Sequence, residues 1–156
     1  MGPGPIPNVA GDWLITKAAN ANSTVCNFYQ GHTPTVYGER LTVVGDKLYG
    51  GSGANCTQYL QGTLVDSVIS TNESGTHTFY SSYPGFCTYS TTYQSTVRLS
   101  DNSISGTYRL TRTVIDSVPN ELGDVCLNLD GRGDVAPCSE EGTIAGARCT
   151  GCTGCP

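Results

Sequence analysis

The chain has 156 residues, of which only 13% are charged, and its net charge at pH 7 is -5. This length predicts one domain, and 14 Ser, 20 Thr and 20 Gly favour strands and turns over helices. An acidic chain without a cluster of Lys or Arg lacks the positive surface that nucleic acid requires, and no apolar run reaches the roughly 18 residues of a membrane helix. We therefore expect neither a nucleic-acid partner nor a membrane span.

The chain begins with a head rich in proline and glycine. Residues 1–8 contain GPGPIP, whose prolines cannot donate hydrogen bonds to a sheet, so this segment is predicted to be an extended linker. A single β domain is expected over residues 9–149, followed by a Cys/Gly-rich tail at 150–156. Because an extended segment can add to an exposed strand edge, Ile6 and Val9 are candidate contacts with a neighbouring copy.

The alternation of apolar and polar residues predicts strands along most of the chain. Turn sequences such as VGDK, NESG, YPGF and SDNS separate them. The predicted strands are 11–17, 36–45, 47–53, 57–70, 76–83, 86–99, 103–115 and 142–149. Tight reversals favour an antiparallel order, so the predicted fold class is all-β, an up-and-down barrel of about eight strands stapled by disulfides, with a β-sandwich as the alternative.

The best-defined hairpin covers residues 86–114 around an Asp101-Asn102 turn. The predicted register sets Leu99 opposite Ile104, Val97 opposite Gly106, Ser95 opposite Tyr108, Tyr93 opposite Leu110 and Tyr89 opposite Val114. One face is then apolar and must turn toward a core. Large inward side chains match small ones, which predicts little space for a ligand. Arg112 also has the inward parity, where it could pair with a ligand carboxylate or reach solvent at the strand end.

The only tryptophan lies in VAGDW, at the start of the first predicted strand. Together with a long loop at 19–35, the up-and-down strands and the late EEGTIAGARC, this element resembles the lipocalin-like (calycin) barrels and exported bacterial proteins with a VAGxW element. In that superfamily a Gly-x-Trp on the first strand plugs the closed end of the barrel, and a basic residue near the last strand packs on the indole. The resemblance implies that Trp13 is the plug and Arg148 its partner.

Eight cysteines in a small Thr-rich chain predict several disulfides and an extracellular or cell-surface location. They are Cys26, Cys56, Cys87, Cys126, Cys138, Cys149, Cys152 and Cys155. We predict a local Cys126–Cys138 bond, because 11 residues separate the two in a segment without predicted strands. The alternative for Cys149, Cys152 and Cys155 is a zinc site with one further ligand. No basic and apolar leader precedes Gly2, so we expect any export leader to lie outside this sequence.

Catalytic constellations are missing from the sequence. His32 and His77 are the only histidines, and neither belongs to a metal-binding or nucleophile motif, so we expect no enzyme and no cofactor. Seven of the 13 acids lie in residues 116–141. There NLDGRGDV partly matches a calcium loop, although Arg132 stands where an oxygen ligand belongs. The weak candidate ligands are Asn128, Asp130 and Asp134, and a solvated acidic loop is the favoured interpretation.

Aromatic residues cluster around the YPGF turn. Tyr80, Tyr83 and Phe86 could contact a ligand, a sugar or a protein, while core packing is the alternative. The expected function is a non-catalytic extracellular or cell-surface structural module that associates with copies of itself or with another surface protein or glycan, as in a filament or surface layer. A lipocalin-like carrier of a small hydrophobic or amphipathic ligand is the alternative.

Overall fold

The computed structural model describes residues 8–156, within which eight antiparallel strands close into a barrel. They are β1 (Gly11–Ala19), β2 (Thr35–Val44), β3 (Lys47–Gly51), β4 (Tyr59–Val65), β5 (Val68–Tyr80), β6 (Phe86–Leu99), β7 (Ser103–Val118) and β8 (Cys138–Arg148). Each strand pairs with the next, and β8 pairs with β1. The predicted all-β fold is confirmed, as a barrel and not as a sandwich. Across this part of the chain no helix is long and apolar enough to cross a membrane.

The β6–β7 hairpin has the predicted register. Leu99 lies opposite Ile104, and the pairing continues to Tyr89 opposite Val114. The inward side chains of this hairpin contribute to the barrel core, which also includes residues from the other strands. Its buried members are Val9, Trp13, Ile15, Leu41, Leu48, Leu64, Ile69, Leu99, Ile104, Tyr108 and Ile144. Burial of each large apolar side chain contributes about 1.5–3 kcal/mol to folding, so the core is the main source of stability.

The boundary between β4 and β5 differs from the prediction. The sequence predicts one strand over 57–70 and a turn at NESG, residues 72–75, whereas the chain reverses at Asp66 and Ser67. These two residues have φ values of 51° and 70°, which a tight two-residue hairpin turn requires. The NESG segment lies inside β5, because each of its residues pairs with β6. Continuous pairing with a neighbour thus overrides the local turn preference.

Trp13 and Arg148 lie side by side and plug one end of the barrel. They are cross-strand partners in β1 and β8, and Trp13 is fully buried. The guanidinium carbon of Arg148 lies 4.2 Å from the centroid of the indole ring. The guanidinium also donates hydrogen bonds to three carbonyl oxygens, those of Asn8, Ala10 and Asp101. One side chain therefore ties the start of the barrel to the β6–β7 turn.

The disulfides correct the sequence prediction. All eight cysteines lie in the described residues and form Cys26–Cys138, Cys56–Cys155, Cys87–Cys126 and Cys149–Cys152. The predicted Cys126–Cys138 bond is wrong. The loop between β7 and β8 folds back onto the long strands, where Cys126 and Cys87 join a second buried cluster with Val125, Leu129 and Ala136. Cys138 begins β8 and instead reaches the loop that follows β1.

The tail packs against the barrel as a strap. Thr153 is buried, and its carbonyl oxygen accepts a hydrogen bond of 2.7 Å from the backbone N–H of Gly53. Gly38 in β2 makes this contact feasible, because a Cβ there would lie 2.0 Å from the carbonyl oxygen of Cys152. The zinc alternative is wrong, since Cys149, Cys152 and Cys155 are all in disulfides.

Replacing Arg148 by lysine tests the plug. Lysine keeps the charge but loses the planar fork that reaches three carbonyls, so Arg148→Lys should lower the free energy of unfolding by about 1–3 kcal/mol. Denaturant titration followed by Trp13 fluorescence measures the change. Arg109→Lys is the matched control, because Arg109 forms an exposed ion pair with Glu141, and its effect should stay below about 1 kcal/mol. Equal effects of the two variants would contradict the structural role of Arg148.

The disulfide pattern predicts unequal contributions to stability. In the chain-entropy model, closing the 39-residue separation of Cys87–Cys126 contributes about 4 kcal/mol. The three-residue separation of Cys149–Cys152 contributes about 1.5 kcal/mol. In denaturant titrations, replacing Cys87 and Cys126 by alanine should lower the free energy of unfolding more than replacing Cys149 and Cys152 by alanine. Peptide mapping without reduction should recover the four pairs, and a peptide joining Cys126 to Cys138 would contradict them.

Candidate functional site in the barrel

The end of the barrel opposite the Trp13 plug is open. A pocket of about 350 Å³ lies there, between the ends of four strands and the loop that follows β1. Its charged and aromatic lining residues include Lys17 from β1, Tyr37 from β2, Arg112 from β7 and Glu140 from β8. This volume falls in the range of roughly 300–1,000 Å³ that small-molecule sites occupy.

Lys17 forms the floor of this pocket together with two tyrosines. Its ammonium donates a 2.9 Å hydrogen bond to the Tyr93 hydroxyl and lies 4.5 and 4.6 Å from the ring centroids of Tyr93 and Tyr108. Tyr108 in turn donates a 2.7 Å hydrogen bond to Glu140. Burial raises the pKa of Tyr108 well above its ordinary value, so its hydroxyl keeps the proton that it donates. The floor is thus a fixed cation held between aromatic faces.

A smaller cavity of about 70 Å³ lies below this floor, inside the barrel. Most of its wall is apolar, with Ile15, Leu41, Leu48, Ile69, Val97 and Ile144 among its residues. The cavity admits water or a compound of only a few heavy atoms, and it is well below the size of a site for a lipid-like ligand.

Glu39 of β2 brings a carboxyl group into this apolar cavity. It is only 4% exposed. Its Oε1 accepts a 2.8 Å hydrogen bond from the Tyr59 hydroxyl and a 2.5 Å bond from Nε2 of Gln61. Burial raises the pKa of Glu39, while these two hydrogen bonds and the charge of Lys17 lower it in part. Burial, followed by hydrogen bonding to Glu39, also raises the pKa of Tyr59 to about 12.

The sequence analysis did not identify Glu39, although a signal is present. In TVYGERL, Glu39 has the same parity as Tyr37 and Leu41, so a charged residue occupies an inward position. Gly50 of β3 makes the space for it, because a Cβ at this position would lie 2.3 Å from Oε1 of Glu39. The carboxyl group of Glu39 in β2 therefore requires a glycine at position 50 in β3.

Arg112 lies in the open-end pocket but is occupied by protein contacts. One of its terminal nitrogens donates a 2.8 Å hydrogen bond to the carbonyl oxygen of Cys26, and the other lies 3.7 Å from Oδ1 of Asp134. Its side chain is largely buried. Arg112 thus holds the two long loops against the barrel and does not present a free charge to a ligand.

The predicted aromatic patch lies at the tip of the β5–β6 hairpin. Tyr80 is 73% exposed and Tyr83 is 51% exposed, and the Tyr80 ring lies 6.2 Å from that of Phe86. None of the three residues lines either of the two pockets described above. The structure therefore separates this surface patch from the barrel interior and from Arg112.

The calcium candidates do not converge on a site. The side-chain oxygen of Asn128 accepts a hydrogen bond from the backbone of Gly133, and Oδ1 of Asp134 accepts one from Asn27. Across residues 8–156 there is no group of three His, Cys, Asp or Glu side chains that could hold a metal. Asp130, at φ 55°, belongs to the turn of this loop.

The two predicted assembly contacts have different outcomes. Ile6 lies outside the described residues. Val9 is only 1% exposed, and its carbonyl oxygen accepts a 2.9 Å hydrogen bond from the indole nitrogen of Trp13. Its side chain packs in the core of its own barrel, so the proposal that Val9 contacts a neighbour is wrong.

Comparisons of the chain with protein-family models, with curated proteins and with solved structures find no match.

The raised pKa of Glu39 predicts how stability depends on pH. A group whose pKa is higher in the folded state retains its proton there, so folding loses stability as pH rises above the ordinary value of 4.5 through the folded pKa. Glu39→Gln removes this titration. Compared with the variant, the wild-type protein should lose free energy of unfolding as pH increases, which denaturant titrations from pH 4 to 8 can measure. Parallel pH profiles would contradict a buried carboxyl with a raised pKa.

Proposed function

We propose that this protein is an exported, non-catalytic structural module of lipocalin-like architecture, in which an extended segment of one copy adds to a free strand edge of the next. The free edge of β5 is the observation that carries this proposal. β4 pairs with β5 only at residues 68–70, whereas β5 pairs with β6 along its whole length. Within the described part of the chain, residues 72–80 thus have no strand partner on the β4 side.

The backbone groups on this edge can be assigned from the ladder. The N–H of Leu99 donates to the carbonyl oxygen of Ser67, so alternate residues of β5 from 67 onward face β6. The even-numbered residues between 72 and 80 therefore direct their N–H and C=O groups away from the sheet. A row of unpaired groups of this kind is a template for another strand.

The composition of the head suits a strand that pairs on one side. Prolines at positions 3, 5 and 7 alternate with Gly2, Gly4 and Ile6. In an extended strand, alternate N–H groups point to the same edge, so the glycines and Ile6 could donate to a partner while the prolines face away from it. The head itself lies outside the described residues.

The positions of the head and of the free part of β5 favour a contact between copies. Asn8 lies at the plugged end, where its carbonyl oxygen binds Arg148. The free part of β5 runs toward the open end, and β5 lies across the sheet order from β1. A head that joins the edge of another copy makes a head-to-tail contact, which produces rings or filaments.

Two further observations support this proposal. The disulfides suit an oxidising compartment outside the cytosol, which is consistent with export. The cavity inside the barrel is much smaller than a site for a lipid-like ligand, which favours a function based on contacts on the outside of the barrel.

Substitution of Thr76 tests the edge. Thr76 is exposed and directs its N–H away from β6, so Thr76→Pro removes a donor from the free edge without removing a bond of the β5–β6 ladder. We expect this variant, and a deletion of residues 2–7, to abolish association in sedimentation velocity and electron microscopy. The matched control Thr76→Val keeps the N–H and should assemble like the wild type. Trp13 fluorescence verifies that each variant is folded.

A lipocalin-like carrier is the second candidate function. The 350 Å³ pocket at the open end favours it, because its walls combine charged and aromatic side chains. A wild-type protein that remains monomeric at high concentration would contradict the assembly proposal. If that monomer also retains a lipid-like molecule in native mass spectrometry, the carrier function takes its place.

A further inference from the structure

One oxygen of the buried Glu39 carboxylate has no partner in the described residues. Both hydrogen bonds, from Tyr59 and from Gln61, go to Oε1. Every fully enclosed side-chain nitrogen or oxygen atom in residues 8–156 has a hydrogen-bond partner. Oε2 therefore keeps some accessible surface, and the 70 Å³ cavity is the space that Glu39 lines.

Lys17 does not neutralise this carboxylate directly. Its ammonium binds the Tyr93 hydroxyl and lies over the Tyr93 and Tyr108 rings. No cation of the described chain lies within 4.0 Å of the Glu39 carboxylate. A buried carboxylate is costly unless a positive or donating group pairs with it, and this one retains an open acceptor.

The remaining cavity wall restricts the size and chemistry of an occupant. Aliphatic side chains from several strands line the cavity together with Glu39, so an alkyl group would be in apolar contact while its polar end meets Glu39. A carboxylate ligand would be repelled by Glu39, and a neutral alcohol would form a weaker hydrogen bond than an ammonium ion. Tyr37 lines both this cavity and the open-end pocket, so the two spaces are adjacent.

We infer that the barrel cavity binds a small primary ammonium ion with a short aliphatic chain, whose N–H groups donate to Glu39. This binding site goes beyond the structural role proposed above and does not depend on it. The cavity volume restricts the length of the ligand's alkyl chain, and the free oxygen restricts the ligand's charge. These two properties of the ligand can therefore be varied separately.

A ligand series tests the charge requirement on the oxidised full-length protein. Propylammonium, propanol and propionate have nearly the same size and differ in charge. Isothermal titration calorimetry at constant ionic strength and at pH 8, because the raised pKa of Glu39 disfavours its ionised form at lower pH, should show propylammonium binding at least about tenfold more tightly than the other two. Equal affinities, or no detectable binding of propylammonium, would overturn the inference.

Variants then place the ammonium ion in the cavity. Glu39→Gln keeps the size and an acceptor for Tyr59, and it should weaken propylammonium binding by about tenfold or more. Glu141→Gln is the matched control, because it removes a half-exposed carboxylate that is ion-paired with Arg109, and it should preserve the affinity. Retained binding by Glu39→Gln would refute the site.

A cavity-filling variant gives a second test without changing the acid. Ser95 lines the cavity, so Ser95→Val should occupy part of it and weaken propylammonium binding about fivefold or more. An unchanged affinity would place the ligand elsewhere and overturn the inference. Thr76→Pro should bind propylammonium like the wild type, so failure of the assembly proposal and failure of this one can be distinguished.

Discussion

The stacking of Arg148 on the Trp13 indole makes the two ends of the barrel different. The contact joins the first and last strands, and the three hydrogen bonds of the guanidinium hold the residues before β1 and the β6–β7 turn at the same end. At that end the indole of Trp13 is fully buried beneath the guanidinium. The open pocket lies at the opposite end, and the free part of β5 runs toward it. The small cavity lies inside the barrel below the open pocket.

The seam between β4 and β5 connects the two proposed activities. β5 has no pairing with β4 beyond residue 70, and the residues at the start of β4 do not pair with β5. Tyr59 and Gln61 donate to Glu39 inside the barrel, while the continuing edge of β5 stays available outside. One interruption of the sheet thus provides both a polar group in the core and a strand edge on the surface.

The sequence predicts the parts of the fold that depend on neighbouring residues in a strand. Strict alternation around Asp101 and Asn102 was enough to predict the β6–β7 register. The reversal at Asp66 and Ser67 was missed, because its residues lack glycine and a stronger turn pattern follows at NESG. Cysteine partners depend on where a long loop folds back, which spacing cannot reveal. Glu39 was missed because its environment comes from three strands.

The two longest disulfide closures overlap along the chain. Cys26–Cys138 and Cys56–Cys155 together enclose all residues from 26 to 155, with a shared interval between 56 and 138. A protease that cuts the backbone once anywhere in this range therefore leaves two fragments that remain one covalent molecule. Such a nicked chain comes apart only when its disulfides are reduced.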